Sequence, residues 1–389
     1  MSPTPFHIMS KPIGPRCNID CNYCYYLEKE KLFPAEKKFR MPLDILDSYI
    51  RQLIENSVEA GMREVPFVWQ GGEPTMLGIE FFKSIVKLQQ KYAPNGIKVT
   101  NALQTNGILL DDAWGAFFKE NGFLVGISID GPKKIHDRYR IDRSGRPTFE
   151  KVMKGLEVLQ NHDVKHNALT VVHRANGGKG KEVYRFLKSL GLDYMQFIPI
   201  AERSNAGSLA GAPQFDKNLE NAITEWSVKP RAFGKFLCDV FDTWYPRDVG
   251  KIFVQHFEVQ IGLWMGRQSS LCVFAKTCGN GLALEHDGSL FSCDHYVYPE
   301  YRLGNIADTP MREMLWSEQQ TRFGQDKENA LTAQCKSCEF RFACNGGCPK
   351  HRFAQSRDGE NGHNYFCESY TMFLRHAGGR LKILAQLTA

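Results

Sequence analysis

No run of about 18 apolar residues occurs anywhere in the 389-residue chain, so no membrane-crossing helix is expected. The N-terminus, MSPTPFHIMSKPIG, lacks a charged start followed by an apolar core, and no secretory signal is read there. There is no arginine-rich arm or basic stripe, and the formal charge of +6 is mild. Nucleic-acid binding is therefore not expected. No repeat of solenoid period and no low-complexity tract appears. These absences point to a cytoplasmic protein with neither a membrane nor a nucleic acid as partner. Cysteine is missing from residues 25–237.

What is present is cysteine at both ends. There are twelve in all. Without a secretory signal they read as metal ligands rather than disulfides. Cys17, Cys21 and Cys24 are packed at the start, Cys238 stands alone, and eight lie between Cys272 and Cys367. The pattern predicts two metal-bearing regions separated by a metal-free scaffold. Bound anionic clusters would offset the +6. Apolar content of 42% and charged content of 24% are ordinary for a globular chain.

Strand-like runs alternate with amphipathic stretches over the first 200 or so residues. The candidate strands are 6–11, 66–70, 99–104, 124–130, 167–172 and 194–200. Between them, residues 43–60, 80–92, 112–120, 149–161 and 181–190 repeat apolar positions three and four apart. Strands about 30 residues apart require parallel crossovers. Six units are fewer than the eight of a closed barrel, so the α/β reading is an open, partial (β/α)6 TIM-like barrel. It is assigned to residues 1–235, and a smaller metal-stapled domain to 236–389. SNAGSLAGAPQF (204–215) reads as a flexible connection, and Cys238, in KFLCDVFDTWY, as packed core.

Four unusual motifs follow the first four strands: CNIDCNYCYY, QGGEPT (70–75), QTNG (104–107) and SIDGP (128–132). In barrel-like α/β folds, ligands sit in the loops beyond the carboxyl ends of strands. Four successive loops thus converge on one site. Cys17-x3-Cys21-x2-Cys24 supplies three ligands, which leaves one coordination position open for chemistry. Spacing alone also allows zinc completed by a distant histidine.

Cx3CxxC after a first strand, with Tyr23, Tyr25 and Tyr26 beside it and GGEP after the second, resembles the radical S-adenosylmethionine enzymes. The resemblance implies a [4Fe–4S] cluster whose fourth iron binds the cofactor's methionine, and a 5′-deoxyadenosyl radical released on reduction. It implies cofactor contacts from Gly71, Gly72 and Glu73, and from Gln104, Ser128, Asp130 and Arg140. Gly71 and Gly72 suit close backbone approach to a ligand. Glu73 is a carboxylate available near a cationic ligand. Arg140 suits a carboxylate. A plain turn at GGEP and a surface role for Arg140 are the blander readings.

The remaining cysteines, Cys272-x5-Cys278-x14-Cys293, Cys335-x2-Cys338-x5-Cys344-x3-Cys348-Pro349 and Cys367, number enough for two four-cysteine sites. Two zinc sites are one reading. A ferredoxin-type run ends in Cys-x3-Cys-Pro and lends its last cysteine to the other cluster. The layout resembles the SPASM extension with two auxiliary [4Fe–4S] clusters, three clusters in all. By that resemblance Cys272, Cys278, Cys293 and Cys348 hold one, and Cys335, Cys338, Cys344 and Cys367 the other.

KPIGPRCN, LQTNG, ISIDGP, QFIP, SCDHYVYPEYRLGNI and CNGGCP extend the likeness over nearly the whole chain. Together they resemble the anaerobic sulfatase-maturating enzymes, which oxidise a cysteine or serine of a sulfatase to Cα-formylglycine. The resemblance implies an unfolded or partly folded sulfatase polypeptide as partner, an electron donor such as flavodoxin or ferredoxin, and a monomer. It places the general base at Asp294, directly after Cys293, and substrate contacts at Tyr26 and Gln70, read as the ends of the first and second strands. His295 is a possible neighbour or a structural residue. A carboxylate must be partly desolvated to act as a base near neutral pH. The rivals are a thioether-forming SPASM peptide maturase, for whose N-terminal peptide-binding domain there is no room before Cys17, and a non-catalytic iron–sulfur or zinc module.

Overall fold

The protein is described by a computed structural model over residues 6–34, 38–203 and 223–388. The connection read at 204–215 lies outside the described residues. In chain order the strands are β1 (His7–Lys11), β2 (Glu64–Trp69), β3 (Lys98–Thr105), β4 (Leu124–Ser128), β5 (Lys165–Val172), β6 (Tyr194–Pro199), β7 (Phe253–Val254), β8 (Gly281–Glu285), β9 (Ser289–Phe291) and β10 (Arg302–Asn305). The main helices are α1 (Leu43–Glu59), α2 (Ile79–Tyr92), α3 (Asp112–Glu120), α4 (Phe149–Asn161), α5 (Gly180–Ser189), α6 (Pro230–Trp244), α7 (Gln255–Trp264), α8 (Glu318–Asn329) and α9 (Cys367–Thr388). The chain forms two compact units. One is Met1–Ser128, Arg140–His166 and Gly279–Gly324; the other is Ile129–Tyr139, Asn167–Cys278 and Gln325–Ala389.

In the first unit, β1 to β4 pair in parallel and in sequence order. This is the α/β parallel sheet expected from the alternating pattern. Period-two burial in β2 puts Val65, Phe67 and Trp69 inside, where Phe67 and Trp69 stack with centroids 5.8 Å apart. α1 lays Leu46, Tyr49, Ile50, Leu53 and Ile54 into the core, and each such side chain adds roughly 1.5–3 kcal/mol of burial. α3 starts where Asp111 accepts from the Trp114 N–H at 3.0 Å, an N-cap that satisfies an otherwise orphaned donor.

One pairing was not anticipated. The free edge of β1 is taken by β8, parallel, from His7 opposite Gly281 to Lys11 opposite Glu285. A hairpin through the HDGS turn adds β9, and β10 follows antiparallel. The Cys293–Asp294 segment is thereby attached beside the first strand. In the second unit, β5, β6 and β7 pair in parallel, and α6 packs against α5 and α9. Cys238, in α6, is half-buried.

Candidate active site and cluster-binding cysteines

Residues 14–24 form the loop that carries the first three cysteines. Cys17 and Cys21 are buried and Cys24 is half-buried. The loop is held from two sides. The Asp20 N–H donates to the Ile141 carbonyl at 2.8 Å, and Arg143 Nε donates to the Cys17 carbonyl at 3.0 Å. On the other side runs the GGEP loop. The Gly72 N–H donates to the Gly14 carbonyl at 2.8 Å, and the Glu73 N–H to the Arg16 carbonyl at 2.9 Å. A Cβ at position 72 would fall 1.8 Å from the Arg16 carbonyl oxygen. Gly71 sits at φ +122°, a conformation that other residues rarely adopt. The glycines therefore serve the approach of two backbones, a role the motif alone did not reveal.

Glu73 lies inside the loop rather than at its surface. It is fully buried. Its Oε1 accepts from Thr75 N–H at 3.1 Å, Thr75 Oγ1 at 2.6 Å and Thr105 Oγ1 at 2.8 Å, and its Oε2 from the Asn106 N–H at 2.7 Å. These donors tie the loop after β2 to the loop after β3. Burial pushes the Glu73 carboxyl up, while the four donors favour its ionised form. Asn106 Nδ2 reaches Cys17 Sγ at 3.7 Å. Burial, then the Glu73 carboxylate, pushes the free Cys17 thiol up to about 12. Only metal coordination would hold such a thiol as thiolate near neutral pH. Burial also raises Cys24, against the opposing charges of Arg140 and Lys11.

Gln104 Nε2 donates to Ser128 Oγ at 3.0 Å, so these two polar groups form one edge. Arg140 is buried, with its guanidinium carbon 5.6 Å from the Tyr23 ring centre. Asp130 belongs to the second unit. β4 ends at Ser128, so Asp130 lies beyond the strand end expected at residue 130. Its carboxylate accepts from the Val171 N–H at 3.0 Å and lies 3.6 Å from His173 Nε2, which ties the β4 exit to β5.

A second set of side chains meets where β1 and β8 end. Lys11, 2% exposed, pairs with Asp294. Tyr25 Oη donates to Asp294 Oδ2 at 2.6 Å. Tyr26 lies fifteen residues past the end of β1, capping a short turn rather than sitting at the strand end. Its Oη donates to both Glu285 oxygens, at 2.6 and 2.7 Å. The Lys11 ammonium stands 3.8 Å from the Tyr26 ring centre. Burial pushes the Asp294 carboxyl up, but the Lys11 ammonium, His295 and the Tyr25 hydrogen bond outweigh it and hold it well below the usual carboxylate range. Asp294, its side chain 17% exposed, is thus partly withdrawn from water yet kept ionised. His295 packs edge-on against Tyr25, centroids 5.6 Å apart. Gln70 follows β2, its N–H donating to the Ser10 carbonyl at 2.8 Å. Lys11, Tyr25, Asn106 and Glu285 were not foreseen. Lys11 and Glu285 could have been, since each is the polar last residue of an apolar strand.

In the second unit, the thiols of Cys272, Cys278 and Cys348 lie within electrostatic reach of one another. So do those of Cys335, Cys338, Cys344 and Cys367. Cys348 thus lies within reach of Cys272 and Cys278. Among the described residues, no group of three or more His, Cys, Asp or Glu is placed to hold a single metal ion. Donor sets made of thiols alone suit iron–sulfur clusters.

Comparison with known proteins agrees. The profile of the Radical SAM superfamily matches residues 12–190, and that of the iron–sulfur cluster-binding domain SPASM residues 272–339. A serine-type anaerobic sulfatase-maturating enzyme of Bacteroides thetaiotaomicron is 44% identical, over 96% of this chain and 89% of that protein. A cysteine-type enzyme of Clostridium perfringens is 32% identical, over 97% of both. The structure described as native anSMEcpe with bound AdoMet and Cp18Cys peptide superposes with a TM-score of 0.84, at 32% identity, over 98% of this chain and 99% of that one. Streptococcus suis SuiB bound to S-adenosylmethionine, at 14% identity over 89% of this chain and 73% of that one, shares the fold with a TM-score of 0.56.

Proposed function

The chain belongs to the anaerobic sulfatase-maturating enzymes of the radical S-adenosylmethionine superfamily, and from that premise we propose that it oxidises a serine of a sulfatase polypeptide to Cα-formylglycine. The observation that carries this is the partly desolvated, ionised Asp294 with its Tyr25 and Lys11 partners, on the segment that begins at Cys293. Serine is preferred because relatives named serine-type reach 44% and 36% identity, against 32% for a cysteine-type one. Cysteine is the second reading.

Cys17, Cys21 and Cys24 would hold the first cluster, and the edge formed by Gln104 and Ser128, together with Arg140, would meet the cofactor. When bound, S-adenosylmethionine and the reduced cluster supply a radical that takes one hydrogen atom from the substrate Cβ. The O–H of the remaining carbon radical is more acidic than that of the parent alcohol. Asp294, weak as a base in the resting site, is then sufficient to take that proton. One hydrogen atom, one proton and one electron lost from CH2–OH leave the aldehyde. With cysteine the same losses give a thioaldehyde, which water converts to the aldehyde with release of hydrogen sulfide. Tyr26 donates its only proton to Glu285, so its oxygen can meet the substrate only as an acceptor. Gln70 supplies a neutral amide from the loop after β2. The eight downstream cysteines would hold two further [4Fe–4S] clusters, making three, and these would supply an acceptor for the electron. A flavodoxin or ferredoxin would be the donor to the first. The chain acts as a cytoplasmic monomer on polypeptide not yet folded.

The test is anaerobic turnover of an 18-residue sulfatase-like peptide in Ser and Cys forms, read by mass spectrometry. The aldehyde is expected from the Ser form at the higher rate. Cofactor cleavage with both peptides unmodified would replace this reading by the peptide-maturase one.

A further inference from the structure

Lys327 is 1% exposed. It lies in the last turn of α8, and its ammonium reaches three backbone carbonyls of one loop: Cys272, Val273 and Ala275. The remaining carbonyl of that run, Phe274, accepts from Asn345 Nδ2 at 2.8 Å. Every carbonyl from Cys272 to Ala275 is thus bound to a polar side chain. Lys327's own carbonyl accepts from Arg352 Nη1 at 2.6 Å. Arg352 also donates to the carbonyls of Gly346 and Asn345, both at 3.1 Å. The thiols of Cys278, Cys348 and Cys272 lie within electrostatic reach of the Lys327 ammonium.

A buried ammonium served by neutral carbonyls is costly, because carbonyl dipoles replace hydration incompletely. Among the described residues, the groups that act most strongly on Lys327 and can become anionic are these thiols. They do so when they ligate metal. Charge and hydrogen bonding around a cluster also set how readily it takes an electron. We propose that Lys327 is the counter-charge of the cluster held by Cys272, Cys278 and Cys348, and that it raises that cluster's reduction potential so that it accepts the electron of the oxidation. The proposal rests on the reading of the downstream cysteines as cluster ligands. It assigns Lys327 as a positioning and tuning residue rather than a catalytic one.

The experiment compares full-length wild type, Lys327→Met and Lys327→Arg after anaerobic reconstitution, by iron content and EPR-monitored redox titration. Wild type should carry about twelve irons. In Lys327→Met with iron retained, one couple should shift so that its reduced-to-oxidised ratio at fixed potential falls at least tenfold, about 59 mV for one electron. Lys327→Arg should keep the wild-type value. Full iron with every couple shifted less than tenfold overturns the inference. If Lys327→Met loses iron, recovery in Lys327→Arg supports the counter-charge, and no recovery overturns it. Wild type holding only about four irons would overturn the downstream-cluster reading itself, and the inference with it.

Discussion

The two cysteine-bearing regions of this protein are braced by different buried groups. Around Cys17, order comes from close backbone contact and a buried anion. Gly72 admits the Arg16 carbonyl, and Glu73 gathers four donors from two loops. Around Cys272 and Cys348, order comes from buried cations, Lys327 and Arg352, whose donors are spent on backbone carbonyls. Under the proposed function, the Glu73 carboxylate would lie beside a cationic sulfonium, and the cations near Cys272 and Cys348 would favour uptake of an electron.

The comparison can be broken at its steric end first. Gly72→Ala places a methyl inside the Arg16 carbonyl, so the two loops must part. Cofactor cleavage and product should both fall by more than about 100-fold, with loss of about four irons per chain, read by chromatography of 5′-deoxyadenosine and iron assay. Next is Asp294→Asn. Product should drop roughly 100- to 10,000-fold, the usual span for removing a general base, while iron content and 5′-deoxyadenosine release persist. A loss of cofactor cleavage in step with product would mean that Asp294 organises the site rather than taking a proton.

The second region is probed by Arg352→Met. Several buried carbonyls lose their donor, each at about 1–3 kcal/mol, so stability should fall by about 3 kcal/mol or more in anaerobic denaturant titration. Iron should be lost downstream while cofactor cleavage at the first cluster continues. Smallest at neutral pH is the effect of His256, buried between Phe274 and Phe373 at 5.0 Å from each. Burial lowers it from 6.5 to about 3. A base with depressed folded-state pKa is protonated first in the unfolded chain. Its contribution is therefore complete above pH 6.5 and is lost toward pH 3, by up to about 1.4 kcal/mol per pH unit. His256→Phe should flatten the stability profile between pH 6.5 and 4.5; an unchanged slope would assign it to other groups.

Much of the fold was legible. The five helices expected before residue 200 match α1 to α5 to within a residue or so at their ends, because long amphipathic periodicity records which face is buried. That the four motifs lie where the first four strands end was legible too, since each closes or follows an apolar run. The partners of Glu73 were not legible, because a short motif does not show what lies across from it: Thr105 and Asn106 come from the next strand and loop. Tyr26 was located at a strand end because the loop before it has no periodicity to measure.

By itself the sequence determined the alternation of strands and helices and the grouping of three cysteines near the start and eight downstream, all matters of local pattern and residue chemistry. Only the tertiary structure decided that β8 lies beside β1, that Lys11 meets Asp294, that Tyr26 gives its proton to Glu285, and that Lys327 and Arg352 are buried among the carbonyls of the cysteine loops. Those contacts join residues far apart in the chain. No local periodicity encodes them; they exist because burying the strands and helices brings polar side chains together out of water, where each must find a partner.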